Sequence, residues 1–326
     1  MRPRFRIKAD GDDVTELIAD RLLSLEVAEE SGESSDRLEI MVDNRDWAVD
    51  LPETGAHLRV WLGYDETDLV AQGMFQVDEL AVTGWPLQIE IQASAADLKE
   101  TYKQPRSESY HDTTIGGIIE EVAGRHGLEP MVSDDYAAIA IRHRDQTAES
   151  DAHFVNRLAR DVGALAKPTN GRLIFTRKGQ GKSASGDELE PIEIRPEGVT
   201  DFRMRIAERR NYRSVTARYV DQDDAEEKEV TVGDGEPAYM IGWTYESEDE
   251  AEDAAQARLE GFERGTRKLD LTLVGDPAIA TEVPLDLQGF GAGVNGRWIA
   301  SRVSHRIDGV EGYTTEVTAE RNAENG

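Results

Sequence analysis

The sequence predicts an α+β chain dominated by β structure, with two β-rich ends flanking a smaller α/β middle. Three observations carry that expectation. An echo links the ends: Gly73-Met74-Phe75-Gln76-Val77 leads to Glu90-Ile91-Gln92-Ala93, and Gly296-Arg297-Trp298-Ile299-Ala300 leads to Glu316-Val317-Thr318-Ala319. Each reads as a pair of alternating strands, entered through a glycine and an aromatic and closed by Glu, a β-branched residue, a polar residue and Ala. Charge divides the chain the same way: residues 1–98 hold 8 basic and 22 acidic side chains, 99–205 hold 16 and 18, and 206–326 hold 13 and 26. Helical apolar stripes, the third observation, concentrate in the middle. The expected domains are therefore 1–98, 99–205 and 206–326, the last with a helix at about 247–264.

A duplicated β unit places quasi-equivalent surfaces in one chain, as an assembly or a pseudo-symmetric domain requires. The alternative is chance likeness between two amphipathic hairpins, because period-2 patterning is common to half-buried strands.

In the middle segment, Asp112-Thr113-Thr114 precedes an i, i+3, i+4, i+7 stripe of Ile115, Ile118, Ile119 and Val122 that ends at Gly127, which predicts a capped amphipathic helix with a glycine stop. Ser150 can cap a second helix whose Phe154, Leu158 and Val162 share a face before Gly163. Ala164-Leu165-Ala166-Lys167 and Arg172-Leu173-Ile174-Phe175-Thr176 then read as a hairpin turned near Asn170-Gly171. Further on, Ser247 and Glu250 form an S-x-x-E capping box, with Ala251, Ala255, Leu259 and Phe262 on one helical face up to Gly265. Lys268–Val274 and Tyr313–Ala319 alternate cleanly as strands.

Composition excludes several classes. The 326 residues carry a formal charge of -29 and no cysteine, which removes disulfides, thiol catalysis and thiolate metal sites. A pI near 4.6 argues against stable nucleic-acid binding, since an acidic surface repels phosphates. That acidity fits either an acidic or halophilic host or a negative wall along which DNA slides without sticking. With a mean hydropathy of -0.57 and no long apolar run, membrane insertion is not expected. The N-terminus, Met1-Arg2-Pro3-Arg4-Phe5-Arg6-Ile7, lacks the apolar stretch of a secretory signal.

Motifs for chemistry fail on physical grounds. Gly291-Ala292-Gly293-Val294-Asn295-Gly296 spells G-x-G-x-x-G, yet a strand and not a helix should follow it. Gly179-Gln180-Gly181-Lys182-Ser183 lacks the leading glycine of a phosphate-binding loop, because Thr176 stands there. The acidic run Asp221–Glu227 lacks the glycine and terminal glutamate of a calcium loop and reads as a solvated loop. Ser109, His111 and Asp112 are neighbours in sequence, which is no triad geometry. His143 reads as an exposed strand or loop residue and His305 as a packed one. Glu149 and Asp151 read as helix-start residues. No catalytic, cofactor or metal set is expected.

One resemblance runs along nearly the whole chain. Tyr102, Pro105, Arg106, Tyr110, Thr113-Thr114-Ile115 and His126-Gly127-Leu128 resemble the middle region of the phage late-control D family, the baseplate hub proteins of contractile tails. Glu149-Ser150-Asp151 with Phe154, Arg157 and Leu158, then Gly163, look like that family's signature helix, with Gly171 in its hairpin. Tyr245, Ser247, Ala251 and Ala255 resemble the helix before its final barrel, and Gly312-Tyr313 also fits.

The resemblance implies two tail-tube-like β-barrels joined by an α/β domain. It also implies a homotrimer whose six similar barrels match a hexameric tail tube to a trimeric spike around a DNA channel. Tail tube, separate central spike, other baseplate proteins and the tape-measure protein are the implied partners. Synthesis in the host cytoplasm and final residence in the virion tail baseplate follow. Type VI secretion spike proteins are similar in their hub portion but continue into an OB-fold and needle, so the spike is expected to be a separate chain here. The hub of a non-viral contractile injection system is the alternative, and a tail-associated cell-wall hydrolase is the outsider.

Overall fold

The computed structural model describes residues 1–31, 36–95, 100–169, 171–179, 181, 189–206, 212–221, 226–245, 247–264 and 267–321. The chain is mainly β, and its largest element is one thirteen-stranded sheet built from both ends of the sequence. Its path runs Val199–Ile206, Arg267–Val274, Gly312–Arg321, Gly296–Asp308, Leu22–Glu30, Arg37–Asp43, Gln88–Ala95, Val70–Thr83, His57–Tyr64, Pro3–Ala9 and Asp12–Asp13. Pro284–Leu287 also pairs with Gly296–Asp308 and carries Ile192–Ile194 in parallel. The strands at 192–206 thus belong with the C-terminal strands, although they precede residue 206 in sequence. Among the described residues the pairing is an open path and not a closed ring.

The echoed segments are both antiparallel strand pairs, and they match position by position. Val77 stands opposite Ala93, the register then slips before Glu79, and Leu80 meets Ile91. Ala300 stands opposite Ala319, the register slips before Arg302, and Val303 meets Val317. A bulge inserts one residue and bends the strand. Two unrelated amphipathic hairpins have no reason to place it five residues after equivalent glycines. Those glycines, Gly73 and Gly296, have φ of 125° and 114°, where a side chain is strained. A Cβ at Gly296 would also stand 3.0 Å from the Arg321 guanidinium, whereas one at Gly73 would meet the Phe75 ring only at ordinary contact distance.

The equivalence extends to strands that the echo does not reach. Leu38 and Ile40 face Ala93 and Ile91 as Leu269 and Leu271 face Ala319 and Val317. Leu58 faces Phe75 as Leu285 faces Trp298. Leu22–Glu30 and Val199–Ile206 occupy the same next place, each with a register slip two residues into the ladder, between Leu22 and Ser24 and between Val199 and Asp201. The two cores follow suit: Phe75 packs among Leu38, Ile40 and Leu58, and Trp298 among Leu269, Leu271 and Leu285. Burying either aromatic is worth about 2–3 kcal/mol. The Trp298 indole N–H donates to the Val294 carbonyl at 2.8 Å, so no polar atom of that ring is stranded.

The two units meet edge to edge. Gly296–Asp308 pairs antiparallel with Leu22–Glu30, from Arg302 opposite Glu30 to Asp308 opposite Ser24. Leu25 and Val27 are fully buried by this seam, and Ile307 and Tyr313 of the second unit enter the first unit's core. Glu26 and Glu30 pair with Arg306 and Arg302 at 3.4 and 3.5 Å along it.

The middle is α+β. Ile115–His126 forms as the stripe predicts: Thr114 Oγ1 accepts from the Gly117 amide at 3.1 Å and Gly127 ends the helix at φ 70°. The second helix is Asp151–Asp161. Both pack on an antiparallel pair, Pro105–Thr114 with Ala140–Ser150, and on a sheet of Ala164–Thr169, Arg172–Arg177 and Glu129–Val132. Ala164–Thr169 and Arg172–Arg177 form the expected hairpin, and Asn170 at its turn lies outside the described residues.

A further small unit follows. Ser214–Val220 pairs antiparallel with Glu227–Gly233 and parallel with Ala238–Tyr245, and the Glu248–Arg264 helix covers them. Ala251 and Ala255, both fully buried, bring that helix close to Val215, Ala217 and Ile241.

Candidate functional site

The signature segment Glu149–Leu158 builds a buried charge anchor in the middle domain. Ser150 caps the Asp151–Asp161 helix, its Oγ accepting from the His153 amide at 3.2 Å. Extended backbone at Ser150 then turns Asp151 inward, where it is fully buried. One carboxylate oxygen accepts from Gln146 Nε2 at 2.9 Å and from Arg125 at 3.2 Å; the other meets His126 Nε2 at 2.7 Å and Arg106 at 3.4 Å. Burial pushes the Asp151 carboxyl up, but Gln146, His126, Arg125 and Arg106 outweigh it and hold the group below the usual carboxylate range. Around it, Glu149 accepts from Arg157, Phe154 stacks on Tyr110 with centroids 5.2 Å apart, and Leu158 is buried.

This arrangement ties two helices and the antiparallel pair to one point. It leaves no exposed nucleophile or general base, so its chemistry is structural. The sequence marks Asp151 only as a helix-start residue. Its partners come from positions 5 to 45 residues away, which no local pattern connects.

Of the other signature residues, Gly163, Gly312 and Tyr313 sit where units join, and the rest lie within their own units. Gly163, at φ 69°, lies against the Glu248–Arg264 helix, where a Cβ would stand 3.1 Å from the Ala257 carbonyl. Arg258 of that helix donates to the Arg160 carbonyl. Ser247 Oγ accepts from the Glu250 amide at 3.3 Å, and Tyr245 is buried beneath the helix. Gly171, at φ 75°, opens the second hairpin strand. Lys167 and Asp36, 2.8 Å apart, hold the middle domain to the first β unit.

Gly312 and Tyr313 belong to the seam between the β units. Gly312 turns the hairpin at φ 81°. Tyr313 lies 5.5 Å from Tyr64, and the backbone of Gly275 packs so closely on its ring that a Cβ would fall 2.2 Å from it. Tyr64 donates to the Gly275 carbonyl at 2.7 Å. His305, fully buried, contacts the Ile279 carbonyl through Nε2 at 2.9 Å and the Thr315 and Tyr313 hydroxyls through Nδ1 at 3.0 and 3.1 Å. A carbonyl only accepts, so Nε2 carries the proton and Nδ1 accepts. Burial lowers the His305 pKa to about 4.

The rejected motifs resolve in space. The strand Gly296–Asp308 follows the glycine-rich turn at 291–296, so no helix N-terminus faces it. Ser109 Oγ donates to Asp145 at 2.6 Å while His143 meets the other oxygen of Asp145 at 3.1 Å. The carboxylate thus stands between hydroxyl and imidazole, whereas a triad needs the imidazole between serine and carboxylate. His143 is exposed and contacts His111 at 3.1 Å. Residues 180 and 182–183 of the loop-like match, and 222–225 of the acidic run, lie outside the described residues. Among the described residues, no group of three or more His, Asp or Glu is placed to hold a metal, and no helix is long and apolar enough to cross a membrane.

The profile of the phage tail baseplate hub (GPD) family matches residues 37–310. The chain belongs to the phage tail baseplate hub family. A probable baseplate hub protein of Escherichia phage P2 is 30% identical over 98% of this chain and 93% of its own length. Among solved structures, a tail protein from Neisseria meningitidis is similar with a TM-score of 0.71 at 8% identity, covering 98% of this chain and 97% of that one. An E. coli type VI secretion component reaches 0.59 at 13% identity, covering all of this chain and 78% of the other. The hub family is one of structural tail components and not of enzymes, and its members belong to the virion tail baseplate.

Proposed function

We propose that this hub-family chain is a homotrimeric adapter that joins a hexameric tail tube to a trimeric, separately encoded spike, leaving a channel for DNA. The observation that supports it most is the residue-by-residue duplication of the β unit. Three copies of a chain with two equivalent units present six similar surfaces to a sixfold tube and three chains to a threefold spike. Each unit acts as a tube-like barrel: the first is built from about residues 1–98, the second from the C-terminal strands together with those at 192–206. The α/β segment of about 99–191 connects them in sequence. The acidic excess of both ends suits a channel wall that DNA does not wet.

Tail tube, spike, neighbouring baseplate proteins and the tape-measure protein are the partners, and the chain is made in the host cytoplasm before assembly. The fold likeness to the type VI component keeps a non-viral injection hub as the second reading, which the neighbouring genes decide. Mass photometry over a dilution series, with negative-stain images of the same sample, tests the trimer. A pored particle at three times 36.2 kDa supports it. A monomer at every concentration, alone and with the co-expressed spike, overturns it.

A further inference from the structure

The outer face of the antiparallel pair Pro105–Thr114 and Ala140–Ser150 carries a cluster that the Asp151 anchor does not use. Ser109 stands opposite Asp145, and His111 opposite His143. Side chains two residues apart on a strand share a face, and directly opposed residues share it across the pair. These four exposed side chains therefore form one quartet, while Tyr110, between Ser109 and His111, is buried on the other face. The two imidazoles face each other with centroids 4.6 Å apart and Nδ1 atoms 3.1 Å apart.

Asp145 decides which nitrogen of His143 is available. Its Oδ2 lies 3.1 Å from His143 Nε2, and a carboxylate only accepts, so in the neutral ring Nε2 carries the proton and Nδ1 holds the lone pair. Ser109 fixes the carboxylate from behind, donating to its other oxygen at 2.6 Å. Ser109 foremost, then His143 and His111, hold the Asp145 carboxyl below the usual carboxylate range. A carboxylate on one nitrogen of an imidazole is what orients metal-ligating histidines and raises their basicity. In the metal-free chain His111 Nδ1–H donates to His143 Nδ1. Moving that proton to His111 Nε2 leaves a lone pair on each of the two facing Nδ1 atoms.

We infer that His111 and His143 form a two-nitrogen site for a divalent late first-row transition ion, with Asp145 as the carboxylate that positions His143. An ion about 2.1 Å from both nitrogens, themselves 3.1 Å apart, sees them at an angle of about 95°. That is close to the right angle between neighbouring positions of a square-planar or octahedral ion and short of the tetrahedral angle, so Cu(II) and Ni(II) are favoured over Zn(II). Water fills the remaining positions of this exposed site. The ion joins two strands whose inner face supplies Arg106 and Gln146 to Asp151, and so stiffens the frame of the anchor. None of this rests on the trimer reading.

The test is titration of the full chain with Cu(II) alone, read by electron paramagnetic resonance. The first equivalent should show hyperfine structure from two imidazole nitrogens. His111→Gln and His143→Gln, both at exposed positions that leave the fold intact, should each weaken binding at least tenfold. Asp145→Asn should weaken it about tenfold while both nitrogens remain in the spectrum. His57→Gln removes another exposed imidazole beside a carboxylate and should leave the first equivalent unchanged. Hydrogen exchange in 105–114 and 140–150 should slow when Ni(II) is added to the wild type and not when it is added to H111Q. A first equivalent that survives in H111Q/H143Q, or that shows a single nitrogen in the wild type, is adventitious binding elsewhere and overturns the site. Wild-type affinity in D145N overturns the positioning role of Asp145.

Discussion

Lowering the pH should weaken the seam through His305. Its imidazole is enclosed by Tyr313, Thr315 and the Ile279 carbonyl, and burial depresses its pKa from 6.5 to about 4 against the opposing pull of the Ile279 carbonyl and the Asp276 charge. Above pH 6.5 the ring is neutral in both folded and unfolded chains, so it adds no pH dependence. Between 6.5 and 4 the unfolded chain takes up a proton that the folded one refuses, and stability falls by about 1.4 kcal/mol per pH unit. Below 4 both states are protonated and the loss levels off at about 3 kcal/mol.

Carboxylates titrate in the same range, so the comparison needs His305→Gln, whose amide can still donate to Ile279 and accept from Thr315. Urea unfolding from pH 7.5 to 4 should show the wild type losing about 3 kcal/mol more than H305Q. An NMR titration of the His305 ring should place its pKa near 4. Parallel pH profiles for the two proteins, or a ring titrating near 6.5, would refute the reasoning.

Three other outcomes are expected. Asp151→Asn leaves Arg125, Arg106 and His126 facing an amide in a closed site, and should destabilise the middle domain by about 3 kcal/mol in denaturant unfolding; a loss under about 1 kcal/mol would mean water reaches the site. Phe75→Ala and Trp298→Ala occupy equivalent places and should cost similar amounts, about 3–5 kcal/mol each, in unfolding monitored by circular dichroism; a surface-like cost at either would contradict the equivalence. Ser150→Ala removes the cap of the Asp151–Asp161 helix and should cost about 1 kcal/mol, seen as faster hydrogen exchange at the His153 amide, while Ser150→Asp should restore most of it.

Local pattern is legible when one side chain's role depends on near neighbours. The Ile115–Val122 stripe, the caps at Ser150 and Ser247 and the alternation of 268–274 all identify their elements, because helix and strand geometry repeats every few residues. The echo at 73–93 and 296–319 was legible for a related reason: a positive-φ glycine, a core aromatic and a small residue facing a bulge are each demanding places. The match between Leu22–Glu30 and Val199–Ile206 was not, since Leu25 and Phe202, or Val27 and Met204, share only apolarity. Similarly, the strands at 214–245 alternate like those of the flanking sheet, and only their pairing sets them apart as a unit with the Glu248–Arg264 helix.

By itself, then, the sequence determined the β-rich ends, the helices of the middle, the acidic charge and the repeat. Tertiary structure decided which partners close around Asp151 and His305, that the two units form one continuous sheet, and which two edges of that sheet stay open. The physical reason is range. Backbone propensity and amphipathic period act over a few residues, whereas a buried charge or a strand edge is satisfied by whatever long-range packing brings to it.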